Sequence, residues 1–244
     1  MRTIVLTGDS RGVGHSIAKE LLKNDYRVIG ISRQSSNQID CLANEYGSDK
    51  YIHLNYDLAD VDGVKKLYRE KLRSLTKETG IYGFVNNAAM AYDDIITNLN
   101  YSALSQMYKV NVFSPMMLTK YVLRDMLLSK VACSIVHISS ISAHTGYKGL
   151  AMYASTKGAI EAFSKNTARE WGGLGVRSNV VCPGFMDTEM SATLNDDQKN
   201  RIFNRNSMKK PVEVEAVAKT VCFLLGEGAN CISGDIIHVD NGTI

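Results

Sequence analysis

Proline occurs three times and tryptophan once in 244 residues, and no stretch is proline-rich or of low complexity, so nothing marks a linker between domains. The five cysteines, Cys41, Cys133, Cys182, Cys222 and Cys231, are odd in number, scattered and without a C-x-x-C pair. That pattern excludes a disulfide-framed scaffold and points to reduced thiols in a cytoplasmic protein. The five histidines show no H-x-x-x-H or H-E-x-x-H spacing, so no metal is expected. No apolar run has the ~20 residues that span a bilayer, and Met1-Arg2-Thr3 leads straight into a strand, so neither a membrane partner nor a signal peptide is expected. A net charge of +3 without a basic run argues against a nucleic-acid partner.

What is present is an alternation. β-branched runs at 3–7, 27–32, 51–55, 81–85, 135–140, 176–182 and 235–239 are separated by stretches of helical periodicity, with no break in composition. Strand and helix in turn predict an α/β protein with one parallel, doubly wound sheet, a single domain over residues 1–244. Ligands of such sheets lie beyond the carboxyl ends of the strands.

Ile135 to Lys157 carries the chemistry. The strand ends at Ser140, a loop follows, and Tyr153-x-x-x-Lys157 opens an alanine-rich helix. Four residues along a helix place a phenol and an ammonium one turn apart on the same face. A free phenol has a pKa of about 10, so a neighbouring cation is expected to draw it towards working pH. Ser140 is placed to hydrogen-bond the same substrate oxygen. The pair can protonate a carbonyl, although by itself such spacing also describes an ordinary surface pair.

The first strand runs into Gly8-x-x-x-Gly12-x-Gly14 and then a helix through Ile17, Ala18, Leu21 and Leu22. Free N–H groups at a helix start, with glycines that let a diphosphate approach, predict a dinucleotide site from Gly8, Ser10, Arg11, Gly12, Val13 and Gly14. The second strand ends in Ser32-Arg33, with no acid to hold a ribose diol. Arg33 and Arg11 can converge on a 2′-phosphate, which favours NADP(H) over NAD(H); the other reading leaves both arginines as solvated charges. Asp57, next to Leu58, can receive the adenine amino group, and the small residues of Asn86-Asn87-Ala88-Ala89 leave room for a flat cofactor.

Residues 100–129 read as one helix interrupted by Pro115, which cannot bond to the carbonyl of Asn111. A freed carbonyl there can hold a water linking Lys157 to solvent; a simple kink is the alternative. The loop 142–150 is expected to wall the substrate pocket with His144 and Tyr147. Pro183-Gly184 is a turn able to present backbone donors to the nicotinamide, with Phe185 on the substrate side and Thr188 near the diphosphate. The polar segment at about 187–210, with Met190, Leu194, Ile202 and Phe203 inside it, is expected to be a mobile helical lid.

Thr7-Gly8-x-x-x-Gly12-x-Gly14, Asn86-Asn87-Ala88, Asn111, Ser140, Tyr153-x-x-x-Lys157 and Pro183-Gly184 with Thr188 together resemble the short-chain dehydrogenase/reductase family from end to end. The resemblance implies a seven-stranded Rossmann sheet in a homotetramer or homodimer. It further implies a tetrad of Asn111, Ser140, Tyr153 and Lys157, with Asn87, Ala88, Tyr153 and Lys157 at the cofactor. Within the family the chain looks like the 3-oxoacyl-acyl-carrier-protein reductases, so the implied substrate is an acyl-thioester carbonyl or a small-molecule ketone, sugar or polyol. Leu174 stands where those reductases often carry an arginine that docks the acidic carrier protein, Asp9 replaces a common alanine beside the phosphate site, and Ala89 replaces a glycine.

Overall fold

The computed structural model describes residues 1–188 and 195–244. Seven parallel strands form one sheet in the order β3-β2-β1-β4-β5-β6-β7: β1 Thr3–Thr7, β2 Arg27–Ser32, β3 Tyr51–Asn55, β4 Gly83–Asn86, β5 Cys133–Ile138, β6 Val176–Pro183 and β7 Ile236–Val239. The chain reverses direction across the sheet between β1 and β4, and that switch point opens the crevice where a ligand can enter.

Side chains alternate across the sheet, as the period of two demands. Ile4 and Leu6 of β1 face a core shared with Ile17, Leu21 and Leu22 of helix Gly12–Lys23 and Val217, Val221 and Leu224 of helix Val214–Leu225. Val5, Ile29, Ile31, Phe84 and Ile135 face the opposite core, with Leu67 and Leu72 of the 64–76 helix and Leu118 and Val122 of the 101–129 helix. Both faces are covered, so the strands are near-continuous apolar runs. Each such side chain, at 0–4% exposure, contributes about 1.5–3 kcal/mol of burial.

Two differences from the sequence expectations have local causes. β5 ends at Ile138, because Ser140 already caps the short turn Ile141–Ala143 by accepting from the Ser142 N–H. Helix Ala151–Trp171 begins two residues before Tyr153 and hands over to a tight turn at Gly172–Leu174, closed by Gly175 in the left-handed region at φ 83°. The 101–129 helix widens into a π turn at Lys109–Phe113. Pro115, just past it, lacks the N–H that would close an ordinary turn on Asn111.

Candidate active site

Every segment expected to meet a ligand follows a strand's carboxyl end, and the strands are parallel, so these segments share one edge. The crevice is pinned at the switch point. Asn87 Nδ2 donates to the carbonyls of Thr7 and Gly8, both at 3.1 Å, while the Thr7 hydroxyl accepts from the backbone N–H groups of Asn87 and Ala88 at 3.1 Å.

The glycine turn fits a diphosphate on two grounds. A Cβ on Gly14 would lie 1.8 Å from the Gly8 carbonyl oxygen, and one on Gly8 would lie 2.8 Å from Asn87 Nδ2, so backbone packs on backbone here. The helix beginning at Gly12 has no side-chain cap and no acid in its first turn, which leaves its N–H groups and dipole available to an anion. Ser10 is tied to the next unit through its carbonyl, which accepts from Ser36 Oγ at 2.8 Å. Val13 packs against the core under this turn, and Arg11 and Arg33 are exposed above it. Asp57 Oδ1 accepts from the Ala59 N–H at 2.9 Å beside buried Leu58, whose carbonyl receives the Ser114 hydroxyl at 2.6 Å.

Asp9 differs from expectation. Its side chain turns inward, fully buried, where Oδ2 accepts the Tyr51 hydroxyl at 2.6 Å and faces His53 Nδ1 at 2.9 Å. Gly30 makes the room, since a Cβ there would meet Asp9 Oδ2 at 1.7 Å. The carboxylate thus ties the turn after β1 to β3, across Gly30 of β2.

On helix Ala151–Trp171, Tyr153 and Lys157 stand one turn apart. Lys157 Nζ donates to the Ile138 carbonyl at 2.9 Å and lies 5.5 Å from the centre of the Tyr153 ring. Burial pushes the Lys157 ammonium down to about 8. Burial also holds the Tyr153 phenol above its ordinary value, and the charges of Asp93 and Cys182 add to that. The expected downward pull of Lys157 on the phenol does not appear among these influences, all of which raise it, and Tyr153 keeps its proton through the neutral range. As an acid it is loaded. Asp93, itself raised by burial, went unnoticed in the sequence because its partner lies 60 residues away.

Ser140 Oγ accepts from both the N–H and the hydroxyl of Ser142, at 3.2 and 3.1 Å, which leaves its own proton to be donated elsewhere. The Asn111 side chain is fully engaged: Oδ1 accepts from the Met90 N–H at 2.9 Å, and Nδ2 donates to the Met90 carbonyl at 2.9 Å and to Thr156 Oγ1 at 3.1 Å. Asn111 therefore fastens the loop after β4 to the helix that carries Tyr153 and Lys157. Around these residues, Tyr147 is half-buried, while the His144 ring turns towards Glu161 and His238. At the end of β6, a Cβ on Gly184 would strike Asp240 Cα at 2.8 Å, and Phe185 stacks edge-on against Phe203, with ring centres 5.7 Å apart. Lys199 pairs with Asp187 at 2.7 Å. Both contacts tie helix Asp196–Phe203 to the strand end carrying Pro183, Gly184 and Thr188; Met190 and Leu194 lie outside the described residues.

Fold and site together describe a dinucleotide-dependent oxidoreductase. The family described as enoyl-(acyl carrier protein) reductase matches residues 8–243. The chain is 32% identical over 240 residues to the 3-oxoacyl-[acyl-carrier-protein] reductase FabG of Escherichia coli, covering 98% of this chain and 95% of that protein. It is 30% identical over 241 residues to the FabG of Buchnera aphidicola, covering 99% and 96%. A solved short chain dehydrogenase/reductase family protein superimposes with a TM-score of 0.87 at 25% identity, over 99% of this chain and 96% of that one. This chain belongs to the short-chain dehydrogenase/reductase family of oxidoreductases. Among the described residues no helix is long and apolar enough to cross a membrane.

Proposed function

We propose that the protein is an NADPH-dependent reductase that turns a ketone into a secondary alcohol, and that the ketone is a 3-oxoacyl thioester. The observation that carries this reading is the pair of Tyr153 and Lys157, one turn apart on a buried helix face, with Lys157 held on Ile138 at the end of the strand that leads to Ser140. Bound in the cradle, the cofactor supplies a hydride to the carbonyl carbon. Tyr153 Oη gives its proton to the carbonyl oxygen, and the Ser140 hydroxyl donates a hydrogen bond to that oxygen. Lys157 binds the nicotinamide ribose and returns a proton to the phenolate. The π turn at Asn111 is the proposed seat of the water that brings protons in from solvent.

Three features support the finer assignments. The end of β2 offers Arg33 and no acid, which suits a 2′-phosphate. Thioester chemistry is favoured by the likeness to the FabG reductases over nearly the whole chain. The contacts of Phe203 and Lys199 suit helix Asp196–Phe203 to covering the substrate, with Tyr147 and Phe185 as its walls.

A second reading, reduction of a small ketone, sugar or polyol, is favoured by Leu174. This apolar residue, 64% exposed, precedes Gly175 where a carrier-docking arginine would stand. NADPH oxidation measured with a 3-oxoacyl carrier-protein thioester, its pantetheine analogue and a panel of small ketones tests both. The thioesters should turn over fastest, with little difference between carrier and pantetheine. Faster turnover of a small ketone would replace the thioester assignment.

A further inference from the structure

Three side chains without a part in that chemistry meet beside it. His144 from the loop after β5, Cys182 from β6 and His238 from β7 each bring one ligand atom to within 4.8 Å of the others. Cys182 and His238 are register partners on adjacent parallel strands, so the sheet itself fixes their spacing. The His144 and His238 rings meet edge to face, with centres 4.9 Å apart.

Behind this group lies a carboxylate. His144 Nε2 is 3.0 Å from Glu161 Oε1, and the same oxygen receives the Ser139 hydroxyl. A carboxylate on one imidazole nitrogen turns the ring, fixes its tautomer and makes the other nitrogen a better ligand, which is how metal-bound histidines are held. One thiolate and two imidazoles form a borderline-soft set suited to zinc and unsuited to magnesium or calcium, which want oxygen. Bonds of about 2.0–2.3 Å draw tetrahedral ligands to within roughly 3.5 Å of one another. His144, on its loop, is the member able to close the difference. The spacing rules that argued against a metal consider ligands close in sequence, and these three are 38 and 56 residues apart.

We propose that His144, Cys182 and His238 bind one zinc-class divalent cation, with water in the fourth position, and that the ion ties the 141–150 loop to β6 and β7. The loop begins at the turn that orients Ser140, so the ion would set how firmly that side of the site is walled.

Binding is read without turnover, so this proposal stands or falls apart from the reductase reading. Cobalt(II) is added alone to the chelator-treated full chain. One ion per chain should bind with a sulfur-to-metal charge-transfer band, be displaced by zinc, and slow hydrogen exchange in residues 141–150. His238→Gln, at an exposed position, should weaken binding at least tenfold, and Glu161→Gln should weaken it about 10–100-fold. Cys182→Ala should abolish the band. Absence of the band in the unaltered protein overturns the proposal. So does a band unchanged in His238→Gln and Cys182→Ala, which would belong to exposed Cys41 or Cys231.

Discussion

The ammonium of Lys157 lies 5.5 Å from the centre of the Tyr153 ring and is anchored to the Ile138 carbonyl at 2.9 Å. Both groups are desolvated, which raises the phenol and lowers the ammonium to about 8. If Tyr153 is the acid, Tyr153→Phe should lower kcat about 100- to 10,000-fold with little change in NADPH affinity. If Lys157 must be cationic, kcat/KM for NADPH should be level through neutral pH and fall above about pH 8, since that ratio reports the free protein. Lys157→Arg keeps its charge at every accessible pH, so its residual activity should lack the falling limb. A limb that persists in Lys157→Arg would assign the titration to another group.

The glycines of the first turn are not equivalent. A methyl group on Gly14 meets the Gly8 carbonyl oxygen at 1.8 Å, whereas one on Gly12 meets nothing within 4 Å and strains only the backbone, at φ 54°. Gly14→Ala should cost about 1–3 kcal/mol or more from forced displacement and weaken NADPH binding sharply. Gly12→Ala should cost about 1–2 kcal/mol, the left-handed penalty alone. Denaturant unfolding and a cofactor fluorescence titration check the order, and a more damaging Gly12→Ala would contradict it.

Arg33 follows β2 where a ribose acid would otherwise stand, and Arg11 immediately precedes the helix that opens at Gly12. A hydrogen bond to a charged group contributes about 1.5–3 kcal/mol. Arg11→Ala with Arg33→Ala should therefore raise KM for NADPH at least tenfold while leaving KM for NADH nearly unchanged. Equal increases for the two cofactors would remove the 2′-phosphate assignment.

The sequence made the strands legible because the sheet is covered on both faces: the runs at 27–32 and 51–55 coincide with β2 and β3. The position of the glycine cradle was legible too, since strand, turn and helix are local. What the chain order hid is side-chain contact between distant elements. Asp9 reads as a phosphate neighbour, yet Tyr51 and His53, more than 40 residues on, turn it inward over Gly30. His144 reads as a pocket wall, but Glu161, one helix later, holds its ring. Pro115 did announce a disturbance at Asn111, and its form, a π turn with the amide clasping Met90, depends on the neighbouring loop.

The Asp9–His53 pair makes stability depend on pH in a definite direction. Burial lowers the His53 pKa, but the hydrogen bond and charge of Asp9, with smaller help from Asn55 and Asp40, outweigh it, and the net shift is upward. A histidine whose folded pKa exceeds its unfolded value binds its proton more tightly when folded, so its contribution is complete below about pH 6.5 and disappears as pH rises through the folded value. Asp9→Asn keeps the shape and removes the charge. At pH 6 it should destabilise the protein by about 1.5–3 kcal/mol, the worth of a hydrogen bond to a charged group, since His53 can give up its proton once the carboxylate is gone. At pH 9, where His53 is neutral in both proteins, the gap should narrow. Urea unfolding at the two pH values measures this; a constant gap would mean that His53 does not carry a charge beside Asp9.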